Sequence, residues 1–152
     1  MAASRQRPPA GETSWERVAT WYDGWVGDHG SAYHRGLAIP AVLELLDPQP
    51  GERILDVGGG QGVLAPYLAD AGAATTVVDA SARLIAAAKR RHRSVRGARF
   101  LVGDARRLPA VVGLDPGSFD AAVFLLSIQD MDPLDEVLRG VDWALSDRSR
   151  VV

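Results

Sequence analysis

Short runs of apolar residues alternate along this chain with stretches whose apolar residues recur every three or four positions. The runs are Ile54–Val57, Thr75–Asp79, Arg99–Val102 and Phe119–Leu126, and another opens at Arg148–Val152. Runs this short, with β-branched residues in them, suit strands buried on both faces of a parallel sheet. Between them the period changes to that of a helix. Val63, Leu64, Tyr67, Leu68 and Ala71 share one face, with Gly72 placed to end the helix. Ser81 to Val95 reads as a second helix with Leu84, Ile85 and Ala88 inward. A third has Asp132 as N-cap and Pro133 in the first turn, followed by Leu134, Val137, Leu138, Val141 and Leu145. Leu108 to Ser118, rich in Gly and Pro, reads as an irregular connection. Phe119–Leu126 is the most continuously apolar run, which predicts a central strand beside Ile54–Val57.

After a polar tail carrying Pro8, Pro9 and Gly11, the residues before the first strand follow a helical pattern. Thr13-Ser14-Trp15-Glu16 matches a capping box, with Thr13 as N-cap and Glu16 reaching back. Trp15, Val18, Ala19, Tyr22 and Val26 keep helical spacing. After a break at Gly27–Gly30, a second helix runs from Ser31 to about Leu46, with Pro40 kinking or restarting it. The expected organisation is a disordered tail over 1–12, a helical cap over 13–50 and an α/β core over 51–152.

Composition narrows the classes. A chain of 152 residues, 47% hydrophobic, can bury one core. The net charge of -2 gives no global attraction for nucleic acid, and none is expected as a partner. The basic stretch Lys89-Arg90-Arg91-His92-Arg93 reads as cations at a helix C-terminus on a solvated face, because no aromatic residues interleave it. Without cysteine there is no disulfide, zinc–thiolate site or thiol catalysis, and His92 stands without a second metal ligand. No secretory h-region and no membrane-length apolar run are legible, which predicts a cytoplasmic chain.

The chemistry concentrates after the first strand. Ile54 to Gly62 reads Ile-Leu-Asp-Val-Gly-Gly-Gly-Gln-Gly, a strand, a glycine loop and then a helix. That is the layout of a nucleotide-type site at the carboxyl end of a parallel strand. The spacing Gly58-x-Gly60-x-Gly62 is not that of a dinucleotide loop, and no Gly-Lys-Ser/Thr follows. Asp56 flanks the loop, which has no Lys or Arg. A carboxylate there repels a pyrophosphate and attracts a cation. S-adenosylmethionine, with a sulfonium, an ammonium and no phosphate, suits that field. Asp79 ends the second strand about 20 residues beyond the first glycine, where such folds place the acid that accepts from ribose hydroxyls. Its competing reading is an N-cap, a job Ser81 can also do. Asp104, in Gly103-Asp104-Ala105 after the third strand, can accept from an adenine amino group, and the Ala105 N–H can donate to a ring nitrogen. Its competing reading is a turn aspartate. Arg106 and Arg107 read as solvated.

With these four features in order, the chain resembles the class I S-adenosylmethionine-dependent methyltransferases of the small-molecule "type 11" group. They are the loop Ile54–Gly62, the acidic strand end Asp79, Gly103-Asp104-Ala105, and Phe119-Asp120 opening the fourth strand. The resemblance implies a Rossmann-like three-layer sandwich with a mainly parallel sheet. It further implies that Asp56 holds the methionine ammonium through water, with Gly58 and Gly60 giving backbone contact. Asp79 would bind the ribose, Ala80 would border the adenine, and Asp104 and Ala105 would read the adenine edge. Leu126 and Ser127 would line the floor near the sulfonium, and Tyr22 would fold over the methionine end. Where many relatives carry His after the fourth strand, this chain has Gln129, which orients a substrate without acting as a base. The family's sheet has seven strands, whereas this sequence stops as a fifth begins. That predicts an incomplete sheet whose central fourth strand is poorly covered on one side, and a natural polypeptide that continues.

The implied reaction is in-line displacement of methyl onto a small-molecule acceptor. It is carried mostly by positioning and desolvation, so no catalytic side chain is named. His29, His34 and Gln129 are candidates for acceptor contact, and no metal is expected. Two alternatives stand beside it: a binding-only or incomplete S-adenosylmethionine-binding fragment, and an NAD-dependent oxidoreductase.

Overall fold

The computed structural model describes residues 14–27 and 29–152. The expected tail and the Thr13 cap lie outside them. Five parallel strands form one sheet: β1 (Arg53–Val57), β2 (Ala74–Asp79), β3 (Ala98–Val102), β4 (Phe119–Val123) and β5 (Leu145–Val151), in the order β3-β2-β1-β4-β5. Five α-helices accompany them: α1 (Ser14–Val26), α2 (Ile39–Leu46), α3 (Ala65–Asp70), α4 (Ala82–Arg91) and α5 (Leu134–Ala144).

Alternation along the strands sorts side chains to two faces. Leu55, Val57, Val78 and Ala122 pack with Leu108, Val137, Val141 and Ala144 beneath α5. Ile54, Ala121 and Val123 point the other way, against Ile39, Leu46, Leu64 and Leu68 of α2, α3 and their approaches. Val77 meets Ile85 and Ala88 of α4 on that same side. Both faces are covered, which is why these strands read as continuous apolar runs.

Several boundaries differ from the sequence reading. The fourth strand ends at Val123, not Leu126, because Leu126 adopts φ 55° and turns the chain. It is not poorly covered: Ala121, Ala122 and Val123 are fully buried, and β4 lies between β1 and β5. The fifth strand starts at Leu145, directly after α5, and reaches its register with β4 through an irregularity. The helix α4 stops at Arg91 and not Val95. Pro133, not Asp132, is the N-cap of α5, after a cis Asp132–Pro133 bond. Part of the expected irregular connection is a 3-10 helix, Ala105–Ala110. Before Pro40 the helical segment 32–46 widens into a π turn, His34–Ala38, so the missing proline N–H is absorbed without a break.

Two residues of the basic stretch read as solvated make tertiary contacts. Arg91 pairs with Asp23 of α1 at 2.6 Å and so ties α4 to the N-terminal helix. His92 is buried, stacks on Phe100 and has Nε2 3.0 Å from the Gln61 carbonyl oxygen. A carbonyl only accepts, so this nitrogen carries the proton. Asp120, which opens β4, accepts from the Arg53 N–H at 2.8 Å and locks the start of β1.

Candidate functional site

The sheet order reverses between β1 and β4, since β2 leaves one side of β1 and β4 the other. At such a reversal the loops leaving the strands diverge and open a crevice at their carboxyl ends. Register puts Val57 beside Val78, Asp79 beside Val102, and Asp56 beside Val123. The loops after all four strands therefore meet at one edge.

The glycine loop is built there from backbone outward. Gly58 and Gly60 have φ 69° and 55°, which a side chain would strain. The Gly58 N–H donates to the Val78 carbonyl at 2.7 Å. The Ser127 hydroxyl donates to the Val57 carbonyl at 2.7 Å, which brings the segment after β4 against the loop. Asp79 is half-buried at the centre. Its Oδ2 accepts from the Gly60 N–H at 2.9 Å and its Oδ1 from the Ser81 N–H at 2.8 Å. Ser81 is the N-cap of α4, accepting from the Leu84 N–H. Asp79 is thus free of that job and holds the loop, and each of its oxygens keeps capacity for a further donor. Burial raises the Asp79 pKa, the two N–H donors oppose this, and the Glu16 charge raises it further.

Asp56 lies behind the loop with 1% of its surface exposed, and its Oδ1 has no hydrogen-bond partner. Its pKa is pushed up to about 7, first by burial and then by the Asp79 charge. This corrects the picture of a permanently negative loop: near neutral pH the unliganded carboxyl is partly protonated, and a cation would draw out the charge.

The other predicted residues sit as follows. Tyr22 of α1 is half-buried, and its pKa is raised by burial and then by the charges of Asp79 and Asp130. Ala80 and Ala105 are half-buried at the ends of β2 and β3. Asp104 does not stand open as a turn residue, and Arg106 is not free in solvent. The Arg106 guanidinium pairs with Asp104 at 2.7 Å and holds its pKa down. Leu126 is 42% exposed at its turn. Gln129 donates to the Leu126 carbonyl at 2.6 Å and steadies that turn. Of the acceptor candidates, His34 is buried against Ser31 and Trp25, and burial lowers its pKa. His29 lines an open cleft of about 530 Å³ with Arg90, Arg91 and Pro66.

Sequence reasoning missed three contributors. Glu16 accepts from the Ser81 hydroxyl at 2.5 Å and meets Arg83 at 3.4 Å, joining α1 to the start of α4. Met131 flanks the loop so closely that a Cβ on Gly58 would stand 2.7 Å from its Cε. Arg106 was legible as Asp-x-Arg, a spacing at which a turn brings guanidinium and carboxylate together. Among the described residues no group of three or more His, Asp or Glu could hold a metal ion, and no helix is long and apolar enough to cross a membrane.

The family model described as "Methyltransferase domain" matches residues 54–147, from the first core strand into the last. The chain belongs to the methyltransferase-domain family. Within it, this methyltransferase domain is 37% identical over 103 residues to a demethylmenaquinone methyltransferase of Beutenbergia cavernae, covering 65% of this chain and 40% of that one. It is 30% identical over 142 residues to the demethylmenaquinone methyltransferase of Paenarthrobacter aurescens, covering 91% and 53%. The chain thus spans about half or less of the length of these curated relatives. An N-methyltransferase of Haemonchus contortus, solved with phosphomonomethylethanolamine and S-adenosylhomocysteine, superposes with a TM-score of 0.71 at 25% identity. The match covers 90% of this chain and 32% of that one.

Proposed function

We propose that this methyltransferase domain binds S-adenosylmethionine at the carboxyl edge of β1, β2 and β3 and serves methyl transfer to a small-molecule acceptor. The observation that carries this is the pair of carboxylates at the glycine loop. Asp79 is pinned to the Gly60 N–H, and behind the loop Asp56 is buried with one oxygen unpartnered. An orphaned buried carboxylate fits a cationic ligand group and opposes a pyrophosphate. When bound, the group supplies a sulfonium methyl, which an acceptor nucleophile takes as S-adenosylhomocysteine leaves.

The chain's own residues then position and exclude water. Asp56 holds the ammonium, while Gly58 and Gly60 give backbone contact. Asp79 accepts from the ribose hydroxyls with its remaining lone pairs, and Ala80 borders the adenine. Asp104 and Ala105 meet the adenine edge. Leu126 and Ser127 form the floor under the sulfonium, and Tyr22 folds over the methionine end from a helical cap, 13–50. The demethylmenaquinone relatives support a quinone-type ring as acceptor, and the exposed Leu126 and Ile128 beside the loop suit an apolar ring.

Titration calorimetry tests the reading. S-adenosylhomocysteine should bind and NAD should not, and Asp79→Ala should weaken binding by about tenfold or more, as expected for losing a charged acceptor. NAD binding in place of S-adenosylhomocysteine, or unchanged affinity in Asp79→Ala, would contradict it.

A further inference from the structure

Asp104 is held by a single neighbouring residue. Its Oδ1 accepts from the Arg106 backbone N–H at 2.9 Å and from Arg106 Nε at 2.9 Å. Its Oδ2 accepts from Nε at 3.0 Å and from Nη2 at 2.7 Å. The same turn that makes Asp104 the N-cap of the 3-10 helix Ala105–Ala110 thus brings a guanidinium fork onto the carboxylate. Arg106 also feels the charges of Glu136 and Asp132. A bidentate fork fixes the plane of the carboxylate as well as its charge.

A carboxylate oxygen offers two acceptor positions. The backbone N–H sits on Oδ1, Nη2 sits on Oδ2 and Nε is shared between them at 2.9 and 3.0 Å, so three donors meet four acceptor positions and one stays open. A fixed anionic acceptor welcomes an amino group and repels a carbonyl oxygen in the same place. A loosely held carboxylate could rotate away from that oxygen or let water between. On the proposed function, the base edge presented to Asp104 is that of a purine.

We infer that Arg106 is a positioning residue for base selection, orienting Asp104 so that its remaining acceptor position favours a 6-amino purine over a 6-oxo purine. The inference rests on the S-adenosylmethionine reading above.

Calorimetry with S-adenosylhomocysteine and its 6-oxo counterpart, S-inosylhomocysteine, separates the two claims. The unmodified chain should prefer the amino form by about tenfold or more, as a site built around one hydrogen bond does. Arg106→Ala should cut that preference to about threefold or less. Arg106→Lys keeps the charge without the fork, and its preference should fall as well. A role in stability alone would weaken both ligands equally and leave their ratio intact in both variants, which would overturn the inference. An unmodified chain that binds neither ligand would overturn the cofactor reading and this inference with it. One that prefers the amino form while both variants keep the full ratio overturns the inference alone.

Discussion

Gly59 has no room for a methyl group: a Cβ there would stand 2.5 Å from Asp56 Oδ2 and 2.7 Å from Val77 Cγ1. The loop is therefore moulded over a buried carboxyl group, which has a measurable consequence. A carboxyl whose pKa rises on folding binds extra protons in the folded state between the two values. For Asp56 that interval runs from 3.8 to about 7, so its contribution makes the unliganded chain less stable as pH rises through it. Asp79, also raised, adds to the same trend. Asp56→Asn removes one titration. Urea unfolding should find it about 1–2 kcal/mol more stable than the parent at pH 8, with the gap closing toward pH 4. Parallel pH profiles would refute the assignment. Asp56 and Asp79 were legible because Asp79 ends its strand and Asp56 stands one residue from the end of its own, beside a diagnostic loop. The unpartnered state of Asp56 was not, because burial depends on which helices cover the strand. The Arg91–Asp23 and Glu16–Ser81 contacts were illegible for a related reason, as their partners lie 68 and 65 residues apart.

Among the elements, β5 shows best how the sheet edge is fastened. Arg150 donates Nε to the Leu46 carbonyl at 2.7 Å, satisfying the C-terminus of α2. Its two Nη atoms pair with Glu52 at 2.8 and 2.7 Å, just before β1. One side chain thus ties the last strand to the entrance of the first. The Glu52 pKa is held down chiefly by Arg150, so this contribution is present at neutral pH and is lost as the solution is acidified below the usual carboxylate range. Both side chains are partly exposed, which limits the effect. Arg150→Ala should lower the unfolding free energy by about 1–2 kcal/mol at pH 7 and by less at pH 3, read by urea titration. Equal losses at both pH values would contradict the pairing. All five strands were legible from apolar runs, yet several element ends were misplaced. Leu126 is apolar but turns with positive φ, Leu145 continues a helical period but starts a strand, and Val95 lies past the end of α4. Periodicity reports which side is buried, and it does not report where backbone hydrogen bonding changes partner.

Across the whole molecule, one reversal of strand order brings the strand ends and loops that carry Asp56 to Ser127 to one edge of the sheet. The family match over 54–147 falls on this gathered part. Reading Phe119–Leu126 as a central strand gave the adjacency of β4 to β1, and the rest of the order comes from the fold. The acceptor side was less legible, because Leu126, Ile128 and Gln129 take their positions from a turn that only the fold defines. The central claim is that the pair Asp56–Asp79 and the loop between β1 and α3 receive a sulfonium nucleoside. The most direct measurement is a crystal structure of the chain with S-adenosylhomocysteine. The ribose hydroxyls should lie about 2.6–3.2 Å from the Asp79 carboxylate, the amino group toward Asp56 and the adenine beside Asp104. Adenosine bound away from Asp79, or a diphosphate seated against Gly58–Gly62 in a parallel soak, would contradict the account.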